Sequence, residues 1–194
     1  MEIRKNVSLQ DKHTFGLPWK SRFFAVLEKE EQLGELLDFV KEKKQPVLIL
    51  GGGSNMLPTK TYQGLVIQNQ LRGREVIKET KPYSLLEVAA GEDWHNLVLW
   101  TIKNNMFGLE NMSLIPGTVG GAVVQNIGAY DVDIQRFIHS VSAYSLNTGK
   151  KKIFTHEECK FDYRNSIFKS SDMWVVTSVI LKLSHTFKPV LTYK

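Results

Sequence analysis

The chain of 194 residues predicts an α+β fold in two unequal lobes. Three observations lead there. One helix-spaced apolar stripe is followed by two short apolar runs in the first third of the chain, and together they read as a β-α-β unit. β-Branched and aromatic runs dominate the later part, where strands should outnumber helices. Two glycine clusters, one polar and one apolar, interrupt the regular elements. We place a small α/β lobe over residues 1–68 and a larger α+β lobe over residues 69–194.

In chain order, residues 30–43 read as a helix. Leu33, Leu36, Leu37 and Val40 stand at i, i+3, i+4 and i+7, and Gln45-Pro46 stops the run. Residues 47–50 and 64–67 are short continuous apolar strands, completing a β-α-β unit over roughly residues 20–68. Residues 85–91 read as a strand. Asp93 is placed to cap a helix reaching about Asn105, with Trp94, Leu97, Val98 and Ile102 on its buried face and Gly108 at its end. Residues 140–146 and 174–183 carry strand composition, the second interrupted by Thr177 and Ser178. Residues 157–169 between them are mixed and aromatic.

The most informative stretch is 108–130. It holds Gly108, Gly117, Gly120, Gly121 and Gly128, one proline and few charges. It reads as too irregular for a helix and too glycine-rich for an ordinary strand. Bare backbone amides backed by Val119, Val123, Val124 and Ile127 suit a large, flat, partly polar ligand. The competing reading is a surface loop with buried ends. The second cluster, Gly51-Gly52-Gly53-Ser54-Asn55, opens directly from the strand at 47–50. Successive N–H groups in such a turn can form an anion-binding concavity. No Gly-Lys-Ser/Thr follows it, the spacing is wrong for a dinucleotide fingerprint, and Pro58 stands where a helix should run. Phosphates would therefore be held by a loop rather than by a helix N-terminus. Together the clusters suggest a dinucleotide, with the pyrophosphate at the first and the ring at the second.

Composition narrows the function classes. With 42% hydrophobic and 23% charged residues, the chain is ordinary for a soluble globular protein. No apolar stretch has membrane-spanning length and no signal core follows the N-terminus, so a cytoplasmic protein with no membrane partner is expected. Cys159 is the single cysteine, which excludes an intrachain disulfide and reads as incidental. The five histidines show no ligand spacing, so no metal is expected. The net charge of +5 suits a phosphate-bearing partner, yet the basic residues are scattered and carry no nucleic-acid signature.

Four segments, in this order and spacing, resemble the UDP-N-acetylenolpyruvoylglucosamine reductase family. They are Thr14-Phe15-Gly16, Leu50-Gly51-Gly52-Gly53-Ser54-Asn55, the stretch 108–130 with Ile-Pro-Gly-Thr-Val-Gly-Gly and Gln-Asn-Ile-Gly-Ala-Tyr, and Tyr163-Arg164-Asn165-Ser166-Ile167-Phe168-Lys169. The resemblance implies a two-lobed fold of the p-cresol-methylhydroxylase type with non-covalent FAD between the lobes. It implies cofactor contacts from Gly51, Gly52, Gly53, Ser54 and Asn55 at the pyrophosphate. Pro116, Gly117, Thr118, Val119, Gly120, Gly121, Gln125, Asn126 and Gly128 would contact the flavin. Tyr130, Tyr163 and Tyr193 would meet the substrate. The sequence departs from the family pattern at His13, at Asp131 and at Gly121-Ala122-Val123.

The activity implied is NADPH-driven reduction of UDP-N-acetylglucosamine enolpyruvate, a UDP-sugar of peptidoglycan synthesis. Hydride would reach C3 of the enolpyruvyl group, leaving an enolate that a fixed cation stabilises. Arg164 is the residue placed for that role by the resemblance, whereas local sequence alone favours a salt bridge to Asp162 or Glu158. Tyr163 reads equally as a core aromatic. The family's third, substrate-binding domain, with its serine proton donor and late glutamate, has no counterpart in these residues. The chain is therefore expected to be a catalytically incomplete fragment that self-associates through the face left open. A natural FAD-binding protein without catalysis, or another FAD oxidoreductase of the same superfamily, is the alternative.

Overall fold

A computed structural model describes residues 1–170 and 174–191. The first sheet is built from β1 (Arg4–Ser8), β2 (Lys20–Leu27), the helix α1 (Gln32–Lys43), β3 (Val47–Leu50) and β4 (Tyr62–Asn69). Its strand order is β1-β2-β4-β3. β4 runs parallel to both β2 and β3, as a β-α-β unit requires, and β1 adds an antiparallel edge. The α1 stripe is buried as its spacing predicts, in one cluster with Phe23, Ala25, Leu27, Leu65 and Ile67. The helix stops at Lys44, whose left-handed backbone returns its N–H to the Val40 carbonyl.

The larger sheet contains β5 (Arg74–Glu79) and β6 (Tyr83–Ala89). Next come α2 (Trp94–Lys103), α3 (Val119–Gln125) and the two-residue strands β7 (Gly128–Ala129) and β8 (Val132–Asp133). β9 (Ile138–Ser145), β10 (Lys151–Thr155), α4 (Ile167–Ser170) and β11 (Trp174–Ser184) complete it. The order β10-β9-β11-β6-β5 is antiparallel throughout. Thr177 marks a bulge: the register on β9 jumps between Val176 and Ser178, and the Thr177 carbonyl accepts the Ala90 N–H at 2.9 Å. The polar pair that interrupts the apolar run is thus where the strand bends.

Three expectations are corrected. The stretch at 108–130 does contain a helix, α3, of seven residues. Thr118 caps it, accepting from the Gly121 N–H at 3.4 Å. Gly120 lies where a Cβ would come 2.9 Å from the Ala90 Cβ, so the glycine serves close packing on the strand end. α2 ends at Lys103 rather than near Gly108, because Asn104 caps it and Asn105 turns left-handed at φ 55°. Ile102 is exposed, and Thr101 takes its place inside, with its hydroxyl donating to the Val98 carbonyl at 2.9 Å. Asp93 caps α2 as predicted, accepting from the Asn96 N–H at 2.8 Å.

The sheets share a core. Leu146 and Val175 of the larger sheet are buried among the α1-packed residues of the first. Asn69, at the end of β4, donates from Nδ2 to the Val176 carbonyl at 2.8 Å and accepts the Leu71 N–H at 3.2 Å. Lys151 pairs with Glu30 at 2.8 Å near the surface. Among the described residues, no helix is long and apolar enough to cross a membrane.

Gly34 offers a test of the α1 assignment. It is exposed inside the helix, has no positive φ, and a Cβ there would meet nothing within 4 Å. Gly34→Ala should stabilise the protein by roughly 0.5–1 kcal/mol. Urea unfolding followed by circular dichroism measures this; a loss of stability would contradict the helix.

Candidate functional site

A cleft of about 970 Å³ lies between the two sheets. One wall is edge strand β3 with the turn at 51–55. The other is the segment 115–118, α3, β7 and the deep apolar residues Trp174 and Val176. Gly51, Gly52, Gly53, Ser54, Asn55, Pro116, Gly117, Thr118, Gly120, Gly121, Gln125 and Gly128 all line it, so both glycine clusters meet in one place.

The two clusters pack on each other directly. A Cβ at Gly52 would fall 2.9 Å from the Gly117 Cα, and one at Gly51 would fall 2.5 Å from the Thr118 Oγ1. Gly117 has φ 128°, a conformation side chains rarely tolerate. Ser54 Oγ donates to the Pro116 carbonyl at 3.0 Å, closing the contact. The loop after β1 supports the turn from behind, with the Thr14 N–H reaching the Gly53 carbonyl at 3.3 Å.

His13 and Asp131 find physical reasons here. His13 is buried behind Gly53, sets its ring edge-on against Trp19 and bonds the Leu17 carbonyl through Nε2 at 3.0 Å. Asp131 has φ 60° and Tyr130 φ 52°, so the turn between β7 and β8 keeps the backbone that a glycine would take. Aspartate is one of the few residues suited to that region.

Two residues expected to contact the cofactor, Val119 and Asn126, are not in the cleft lining. Val119 is fully buried in the larger core and its N–H bonds the Glu92 carbonyl. Asn126 is also buried, and its amide is used within the protein: Nδ2 donates to the Asp162 carbonyl at 2.9 Å and Oδ1 accepts the Gln135 N–H at 3.2 Å. Tyr130 and Tyr163 stand outside the cleft lining. Tyr163 is 86% exposed, which overturns the core-aromatic reading. Tyr193 lies outside the described residues.

Arg164 does line the cleft. Its guanidinium donates to the carbonyls of Asn126, at 3.1 Å, and Gly128. These carbonyls extend from the C-terminal end of α3, where backbone oxygens are short of partners and a cation is favoured. The expected salt bridge does not form. Glu158 pairs with Lys152 at 3.0 Å, the Asp162 carboxylate accepts the Tyr163 N–H at 2.7 Å, and Arg164 pairs with no described acid. Carbonyl anchoring orients the guanidinium while no carboxylate among the described residues neutralises it, which leaves it suited to an anion. Lys169 adds a second cation to the same lining, with its ammonium on the Arg164 carbonyl at 2.8 Å.

Sequence reasoning had not assigned Lys169, Asn69, Trp174 or Phe168 to a site. Lys169 sits in the motif that carries Arg164, which was a usable signal. Phe168 belongs to that motif too, whereas Asn69 and Trp174 come into the cleft through long-range pairing that no local pattern announces. Cys159 is buried, and burial with Glu158 and Glu157 nearby pushes its thiol up to about 12, which makes it inert. No group of three or more metal-ligating side chains occurs among the described residues.

Residues 21–152 match the family described as the FAD binding domain. The chain belongs to that family. As an FAD-binding domain it should fit its cofactor, and the cleft agrees: bare amides at the mouth, apolar depth, two cations, and a volume near the upper end of the roughly 300–1,000 Å³ usual for small-molecule sites. The domain is 49% identical over 95% of its length to the UDP-N-acetylenolpyruvoylglucosamine reductase of Flavobacterium johnsoniae, of which it covers 55%. It spans about half the length of the curated relatives it matches. Among solved structures, the corresponding reductase of Thermus caldophilus superposes with TM-score 0.74 and 26% identity, over 97% of this chain and 64% of that one. p-Cresol methylhydroxylase superposes with TM-score 0.59 at 16% identity, over 84% of this chain and 35% of that one, which shows the shared fold alone.

The glycine contact predicts a stability cost. Gly52→Ala should destabilise by about 1–3 kcal/mol, because backbone rather than a flexible side-chain tip must yield. A thermal midpoint equal to that of the unsubstituted domain would show that the two clusters do not pack as described.

Proposed function

We propose that this chain forms the FAD-binding part of an NADPH-dependent reductase acting on UDP-N-acetylglucosamine enolpyruvate. The observation that carries the reading is Arg164: a guanidinium in the lining of the cleft, anchored by carbonyls and paired with no described acid. The names of the relatives point to the same activity. In this reading residues 51–55 hold the pyrophosphate by backbone N–H groups. Pro116, Gly117, Thr118, Gly120, Gly121, Gln125 and Gly128 face the ring. Bound FAD supplies hydride transfer from NADPH to the enolpyruvyl double bond.

The chain's own contribution is electrostatic. Reduction at C3 places negative charge at C2 and on the neighbouring carboxylate. Arg164 can grip that carboxylate with two N–H donors and stabilise the charge as it develops. Lys169 holds the Arg164 carbonyl, and so steadies the turn rather than meeting substrate itself. Tyr130 and Tyr163, exposed near this end, would contact the UDP-sugar. The lobe boundary near residue 68 is supported by strand pairing, since no named strand of one sheet pairs with the other. A cytoplasmic location, with neither membrane nor nucleic acid as partner, and self-association through the exposed side chains Leu114, Phe187 and Leu191 belong to the same reading.

Arg164→Met tests it in the FAD-loaded protein at the full length of its relatives. Stopped-flow absorbance should find reduction by NADPH within about twofold of the unsubstituted rate, while substrate-dependent reoxidation slows by at least about 10²-fold. Reoxidation at the unsubstituted rate would refute the role of Arg164.

A further inference from the structure

Asn126 and its contacts do more than fill the core. The segment 162–166 is bolted to the end of α3 by a set of bonds that converge on Asn126. The Asp162 and Asn165 backbones bond each other reciprocally at 3.1 and 3.0 Å, making a tight turn with Tyr163 and Arg164 at its tip. Arg164 occupies this turn with φ 50°, a conformation that costs about 1–2 kcal/mol for a residue with a side chain. Something must hold it there. The Asn126 Nδ2 donates to the Asp162 carbonyl at 2.9 Å, the Asn126 carbonyl accepts from the Arg164 guanidinium at 3.1 Å, and Asn126 Oδ1 is itself fixed by the Gln135 N–H at 3.2 Å. Ser166 Oγ ties the far side of the turn to the Val124 carbonyl at 2.8 Å.

We propose that Asn126 is a positioning residue for Arg164: its side-chain amide fixes the 162–165 turn, and through it where the guanidinium stands in the cleft. The proposal rests on the reading of Arg164 as an anion contact. Helix α3 lines the cleft and its tail holds Arg164, so Asn126 joins the ring-facing wall and the cation into one rigid unit. A simpler role would be that of a left-handed helix terminator, since Asn126 caps α3 with φ 43° and ψ 60°. Glycine fills that role at least as well. Only the side chain can brace the turn.

Two substitutions separate the roles. Asn126→Gly keeps the left-handed cap and deletes the amide. Asn126→Asp keeps size and the acceptor for Gln135 while removing the donor to Asp162. Both are compared with the unsubstituted 194-residue chain by ¹⁵N NMR of the Arg164 guanidinium, with pyruvate titrated as the carboxylate probe. In the unsubstituted chain the guanidinium, held at two carbonyls, should give slowly rotating, resolved Nη signals that shift on adding pyruvate. In the folded variants those signals should collapse to an average, and pyruvate should bind about tenfold more weakly. Resolved, unshifted Nη signals in either folded variant would overturn the positioning role, and the Asp variant decides if the Gly variant fails to fold. If pyruvate leaves Arg164 unmoved in the unsubstituted chain, the anion reading of Arg164 falls, while the rotation of its guanidinium still decides the role of Asn126.

Discussion

The approach of Gly52 to Gly117 governs the rest of the molecule. The turn after β3 and the segment leading into α3 come close enough that Gly52 cannot carry a Cβ without moving the Gly117 backbone, and a Cβ on Gly117 would press on Ser54 Oγ at 3.1 Å. That contact sets the spacing between the turn at 51–55 and the segment leading into α3. It therefore sets the mouth of the cleft. Asn69 fixes the same two sheets deeper down through the Val176 carbonyl, and the shared cluster around Leu146 and Val175 fills the space behind. With the spacing fixed at both levels, the loops at the mouth are held by packing on each other and on the sheets behind them. Such preorganisation lowers the ordering cost of binding a large ligand.

The electrostatics follow from backbone geometry as well. Helix α3 is short and aims its last carbonyls toward the 162–166 segment. Those oxygens need donors, and Arg164 and Ser166 supply them. A guanidinium used in this way is oriented without being neutralised. Had Asp162 or Glu158 been its partner, the charge would have been cancelled where an anion has to bind. Instead Glu158 is taken by Lys152 and Asp162 by its own turn. One arrangement thus ends a helix, stabilises a left-handed residue and leaves a cation facing the cleft.

Much of this was legible in the sequence, for reasons that differ by region. α1 and the two strands that follow it, β3 and β4, are read from a clean helical spacing, from Pro46 and from two apolar runs, and the bounds of β3 agree with its run, whereas β2 was covered only by the rough span 20–68. The α2 cap was legible in Asp93. β1 and β5 were not, because their residues are largely exposed and charged, and they are strands only through pairing with β2 and β6. α3 was missed because glycine argues against helix locally, whereas here Gly120 is required by the close approach to Ala90. For the site, the glycine clusters could be read from composition and chemistry. That Asn126 faces inward while Gln125 faces the cleft could not. The difference of one residue is set by the left-handed end of α3, which no periodicity encodes.

The central claim is that the two glycine clusters build one FAD site in this chain. It is tested most directly by titrating the purified 194-residue protein with FAD and following flavin fluorescence, with ADP as competitor. The account predicts saturation at one FAD per chain, release of unmodified flavin on acid precipitation, and competition by ADP through the turn at 51–55. A titration that never saturates, in a protein whose circular dichroism shows it folded, would contradict it.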